Sequence, residues 1–171
     1  MGLLADIYKD ICVVDKNRFL FVVSNRGFHA LLIYRISNYL WRKKVPLIPL
    51  LLTRIIQILY SIDIDYRCKI EGGVTIVHGV GLVIGKGAVI KKGCKLYHGV
   101  TLGRKHTPKN DGFPILGENV LVGAGAKLLG PIKIGNNVII GANAVVINDV
   151  PDNCIAVGVP AKIIPKNNLG D

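Results

Sequence analysis

Residues 62–150 read IDIDYRCKIEGGVTIVHGVGLVIGKGAVIKKGCKLYHGVTLGRKHTPKNDGFPILGENVLVGAGAKLLGPIKIGNNVIIGANAVVINDV. Stepping by six from Ile64 gives Ile64, Ile70 and Ile76, then Ile84, Ile90, Leu96 and Leu102, then Leu116, Val122, Leu128, Ile134, Ile140 and Val146. All thirteen are aliphatic, and the step departs from six only twice: it is eight between Ile76 and Ile84, and fourteen between Leu102 and Leu116. A second apolar residue, often smaller, sits two positions before, as at Cys68, Val74, Ala88, Cys94, Ala126 and Ala144. Gly and Asn cluster after the aliphatic position, as at Gly85, Gly123 and Gly135-Asn136-Asn137. A period of six matches neither a helix nor a hairpin. It predicts short strands joined by tight corners, where Gly and Asn tolerate positive φ. Stacked turn on turn, such units form a solenoid with one continuous aliphatic interior.

The rest of the chain is read outward from that core. Residues 1–61 form a helical N-terminal region, 62–150 the coil domain and 151–171 a C-terminal extension. Helices are expected over 3–14, over 27–43, and from Pro46 or Pro49 to about Tyr60, with a polar break at Asp15–Arg18. Proline is tolerated in a first helical turn. The excess residues in the coil domain form a bulge at His78-Gly79-Val80-Gly81 and a loop over 103–113, the places where solenoids carry function. The segment after Lys166 reads as a frayed tail.

Bulk properties narrow the classes. The net charge is +11, with nine Lys/Arg against three acids in 1–62 and thirteen against eight in 63–171. Such a surface is read either as a plain solvated basic face or as one that attracts a phosphorylated cofactor, an anionic polymer or a membrane surface. No aromatic-and-basic motif accompanies the charge, so nucleic acid is not expected as a partner. Cys12, Cys68, Cys94 and Cys154 form no metal spacing; Cys68 and Cys94 take the small inward position, as buried thiols in a reduced cytoplasmic setting. No secretory signal is read at the start. The apolar run from Val45 is too short to span a bilayer. It is read as a packed helix, with contact at a membrane surface as the disfavoured alternative.

The repeat, the elements Ile62-Asp63-Ile64, His78–Gly85, Gly99–Gly103 and Val122–Lys127, and the closing Val150-Pro151 and Gly158-Val159-Pro160-Ala161-Lys162 resemble the hexapeptide-repeat acyltransferases. The resemblance is to their serine acetyltransferase-like branch, and it covers the coils and most of the helical region. It implies a mainly β fold, a left-handed parallel β-helix, with a short α-helical N-terminus. It also implies an acetyl-CoA-dependent O-acetyltransferase, acting without a metal, assembled as a homotrimer or a dimer of trimers.

The chemistry needs a base for an attacking hydroxyl, and imidazole suits that near neutral pH. His78 matches the family's catalytic histidine and Asp63 the acid that orients it. His98 lies twenty residues after His78, one coil plus the two-residue insertion, so it is expected to stack above it and to contact substrate or cap the corner. His29 reads as structural and His106 as a loop residue near substrate. Gly103, Ala124 and Ala142 match positions along the coenzyme A groove. Lys162 matches the basic residue near the nucleotide phosphates, with Arg104 and Lys105 able to assist.

The acceptor half departs from the family. Where serine acetyltransferases carry an acid before the catalytic His and an Arg-His pair before the resuming Pro, this chain has Val77, Gly112 and Phe113. Those substitutions point to a saccharide hydroxyl, with Phe113 or Tyr97 against the sugar ring. Serine is the alternative acceptor, and a catalytically silent assembly protein is a further alternative. A zinc hydrolyase would need a third placed histidine.

Overall fold

A computed structural model describes residues 2–105 and 111–166. Four helices precede the coils: α1 (Leu3–Ile11), α2 (Arg18–Ser24), α3 (Arg26–Arg42) and α4 (Ile48–Tyr60). Asn25 caps α3, its side-chain oxygen accepting from Phe28 N at 2.8 Å, which satisfies one orphan donor of the first turn. Pro49 sits in the first turn of α4, and Ser61 ends it in the left-handed region at φ 54°. α2 lies within and beyond the expected polar break. Its sequence RFLFVVS has weak helix propensity and no side-chain cap, so tertiary contact forms it. Its Phe21 ring packs on Phe28 of α3 at 5.4 Å.

The coils follow in order. Coil one holds β1 (Asp63–Ile64), β2 (Lys69–Ile70) and β3 (Thr75–Val77); coil two holds β4 (Val83–Ile84), β5 (Val89–Ile90) and β6 (Lys95–Tyr97). Coil three holds β7 (Thr101–Gly103), β8 (Ile115–Leu116) and β9 (Leu121–Val122); coil four holds β10 (Lys127–Leu129), β11 (Lys133–Ile134) and β12 (Ile139–Ile140). β13 (Val145–Val146), β14 (Cys154–Val157) and β15 (Lys162–Pro165) close the domain. Three parallel sheets result: β1-β4-β7-β10-β13, then β2-β5-β8-β11, then β3-β6-β9-β12-β14 with β15 added antiparallel. The fold is a parallel β-solenoid.

The register places the thirteen aliphatic residues in three columns. Ile64, Ile84, Leu102, Leu128 and Val146 stack on the first sheet. Ile70, Ile90, Leu116 and Ile134 stack on the second. Ile76, Leu96, Val122 and Ile140 stack on the third. All are buried, with Ala88, Cys94, Ala126 and Ala144 filling the space between columns. Each large aliphatic side chain removed from water is worth about 1.5–3 kcal/mol. Burial also lifts the Cys94 thiol to about 11. At one corner Asn119, Asn137 and Asn153 all have φ near +56°. Their side chains join in a ladder at 3.4 and 3.3 Å.

The helices cover the open end of coil one. Tyr34 OH donates to Cys68 O at 2.8 Å and accepts from Ile70 N at 3.1 Å. Asn38 donates to Tyr66 O at 2.8 Å. Arg35 donates to Ile70 O and to Glu71 O, and pairs with Asp10 at 3.0 Å. Asp10 also accepts from Gly73 N at 2.8 Å. These side chains take the place of a missing neighbouring strand along β2. Gly27 lets α3 meet β3 closely, since a Cβ there would lie 2.1 Å from Ile76 O.

Candidate active site

The corner between the third and first sheets carries His78. β3 pairs with β6 at an offset of twenty residues (Val77↔Tyr97), while β4 pairs with β7 at eighteen (Val83↔Thr101). The two extra residues are therefore spent between Val77 and Val83, as a bulge. His78 adopts φ +63°, uncommon for a residue with a side chain. Gly81 N donates to Ser61 O and Gly99 N to Val80 O, each at 2.8 Å, which pins the bulge to both neighbours. His98 stands one coil above. The two imidazoles lie 6.1 Å apart at 63°, edge to face, and both residues are exposed. Val77 and Tyr97 face each other across the ladder beside them. They point outward, because Ile76 and Leu96 point in.

Asp63 opens β1 and is half-buried. Its carboxylate accepts from Gln57 Nε2 of α4 at 3.4 Å; among the described residues no hydrogen bond joins it to His78. Gln57 is the neighbour that sequence reading missed, because it lies on a helix outside the six-residue period.

The same corner continues upward through Ala124 and Ala142. Gly125 N donates to His98 O at 2.9 Å and Asn143 N to Ala124 O at 2.8 Å, coil to coil. The N–H groups of Ala124 and Ala142 have no partner among the described residues. The column ends at the turn between β14 and β15. There Val145 N donates to Gly158 O at 3.0 Å and Ala161 N to Val145 O at 2.8 Å. Lys162 is exposed just past that turn, opposite Val157. Four coil steps separate His78 from the turn, about 19 Å.

Gly103, Arg104 and Lys105 occupy a different corner, between the first and second sheets. A bridge from Lys105 to Gly112 closes the base of the loop. Arg104 forms a two-pronged ion pair with Asp111, and that hydrogen bonding raises the guanidinium pKa above its ordinary value. The Phe113 ring lies over Gly85 and Gly87; a Cβ there would fall 2.1 or 2.5 Å from it. Within one chain, then, His78, His98, Val77, Tyr97, Ala124, Ala142 and Lys162 share one corner, while Gly103, Arg104, Lys105 and Phe113 lie at the next. His106 lies outside the described residues. His29 is held structurally, between Val22 O at 2.8 Å and Tyr60 OH at 3.1 Å.

Residues 113–148 match the family described as bacterial transferase hexapeptide (six repeats). A serine acetyltransferase of Helicobacter pylori (strain J99) is 41% identical over 152 residues, spanning 89% of each chain. A serine acetyltransferase of Synechococcus elongatus is 41% identical over 143 residues, which are 84% of this chain and 59% of the relative. The chain thus spans less than two thirds of some curated relatives. A solved serine acetyltransferase in complex with CoA superposes with a TM-score of 0.88 and 34% identity, covering 95% of this chain and 70% of that one. On this similarity in sequence and fold, the chain belongs to the serine acetyltransferase family of hexapeptide-repeat proteins.

Proposed function

We propose that the chain transfers an acetyl group from acetyl-CoA to the hydroxyl of serine. The observation that carries this reading is the end-to-end similarity to the Helicobacter pylori serine acetyltransferase. It favours serine over the saccharide expected from Val77 and Phe113. His78 is the general base: it takes the hydroxyl proton as the oxygen attacks the thioester carbonyl carbon. The C–S bond then breaks, and the imidazolium returns the proton to the departing thiolate. Asp63, the first residue of β1 and the ladder partner of Val83 just past the bulge, orients the imidazole once the acceptor is bound; such hydrogen bonds are often unformed in a free enzyme. His98, exposed and edge-on to His78, contacts the acceptor.

The corner column fits the donor. Ala124 and Ala142 leave room and offer N–H groups without a partner among the described residues for the carbonyls of the pantetheine arm. Lys162 stands at the far end for the phosphates, where cationic partners are needed. Arg104 is engaged by Asp111, so Lys105 is the readier second cation. Because the candidate residues fall on two corners flanking one sheet, a homotrimer supplies what a single chain separates. It sets the His78 corner of one chain against the Gly103–Phe113 corner of its neighbour.

A saccharide hydroxyl is the second reading, favoured by one observation. Val77 and Tyr97 flank the imidazoles without a carboxylate, and an unpaired ammonium buried there would cost several kcal/mol. Phe113 no longer supports it, since its ring is seated on Gly85 and Gly87 of its own chain.

Thiol release from acetyl-CoA, measured with L-serine and with a panel of nucleotide-activated and polymeric sugars, decides between them. Serine is expected to be turned over with kcat/KM above about 10⁴ M⁻¹s⁻¹; turnover with a sugar but not serine would reverse the assignment, and no turnover with any acceptor would indicate a silent solenoid. His78→Ala should lower turnover by roughly a hundredfold or more while acetyl-CoA binding, followed by calorimetry, is retained.

A further inference from the structure

The helical base carries a surface that the chemistry above does not use. Between Lys16 and Ile62 the chain has no Asp or Glu, but has Lys16, Arg18, Arg26, Arg35, Arg42, Lys43, Lys44 and Arg54. Of these cations only Arg35 is buried, in its pair with Asp10. The other seven are exposed.

Apolar side chains are exposed within the same segment. α4 was expected to be a packed helix, yet it buries only Pro49 and Ile56. Leu51, Ile55, Ile58 and Leu59 are exposed at helical spacing, Ile58 by 82%. On α2, Phe19 is exposed by 84%, with Leu20 and Val23 beside it on the same side of the helix. His29 binds both the Val22 carbonyl and the Tyr60 hydroxyl, so it ties α2 to the end of α4. The two exposed faces are thereby held by one half-buried anchor.

We propose that α2 and α4 form a docking face for an anionic lipid surface, with α4 lying in the plane of the headgroups. The combination of an apolar stripe with flanking cations and no acids is the chemistry of interfacial helices, and each Lys or Arg near an anionic surface adds to the attraction. α4 has thirteen residues, about 20 Å of helix, and no described helix is long and apolar enough to cross a membrane. A second copy seated face to face would bring two basic segments without acids together, Arg18 of α2 and Arg54 of α4 among their cations, unlike an anionic bilayer.

Co-sedimentation of the full chain with vesicles tests this, using phosphatidylcholine alone and phosphatidylcholine mixed equally with phosphatidylglycerol. Binding is expected to the anionic vesicles, weaker at high salt. The double variant Leu51→Gln/Ile58→Gln and the double variant Lys43→Glu/Lys44→Glu should each lower the partition coefficient by at least about tenfold. All these positions are exposed, so the fold is preserved, and mass by light scattering should not change. Failure of the unmodified protein to bind anionic vesicles overturns the proposal. So does binding that ignores both double variants. A fall in oligomer mass in Leu51→Gln/Ile58→Gln also overturns it, because it would assign the stripe to a second copy of the chain.

Discussion

The joints between coils and the joint between helices and coil are built from different materials. Between coils, Ile84 meets Leu102 and Leu102 meets Leu128 through backbone ladders and interchangeable aliphatic contacts. At the first coil, one helix supplies Tyr34, Arg35 and Asn38 to backbone groups of Tyr66, Cys68, Ile70 and Glu71, with Asp10 buried against Arg35. A repeated joint tolerates variation, because each contact is non-directional and has copies above and below. A unique polar joint does not, because each buried donor or acceptor has one partner and leaving it unmade costs its full desolvation.

Breaking the unique joint should cost most. Arg35→Met leaves Asp10 buried without its cation (the pair is only 5% and 2% exposed), and is expected to lower stability by about 3–5 kcal/mol in urea titration. Leu128→Ala, inside the first column between Leu102 and Val146, should cost about 3 kcal/mol. A clearly larger loss than for Arg35→Met would make the repeated joint, not the unique one, the less tolerant of the two. Tyr34→Phe removes one hydroxyl that serves both Cys68 O and Ile70 N, for about 1–3 kcal/mol. Burial holds that hydroxyl protonated by raising its pKa above the ordinary phenol range.

The smallest effect belongs to an exposed corner. Burial alone would lift the Asp65 carboxyl, but hydrogen bonds from the Arg67 guanidinium and backbone N–H outweigh it and hold the pKa below its ordinary value. The folded state thus binds the proton less readily than the unfolded chain. The resulting stability is present at neutral pH and is lost below about pH 4. Asp65→Asn should flatten that part of the stability–pH curve slightly, because a half-exposed pair is worth little.

What was legible follows the same division. The six-residue period reported every inward column, and its two interruptions located the bulge at His78 and the loop after Gly103. The offset of twenty placed His98 over His78 because stacking depends only on counting. Counting did not reveal that Gly103 and Phe113 turn a different corner from Ala124, since corners of one coil differ by six residues while the motif matches had no angular sense. Nor could it show α2, whose RFLFVVS sequence is held through tertiary contacts, Phe21 on Phe28 and Val22 O on His29. The clamp of Asp10 on Arg35 joins residues 25 apart in sequence with no repeat to announce it.

The two ends of the solenoid also set its length. An uncovered parallel strand is a mould on which another can add, and nothing in an eighteen-residue unit (Ile84 to Leu102) says when to stop. Here growth ends in structures that cannot be copied: helix side chains occupy the β2 edge, and β15 runs against β14 with Pro165 on its rim. Termination is therefore separate from the repeat. A further eighteen-residue unit spliced between coils three and four would lengthen the column by about 4.8 Å and leave both stops untouched.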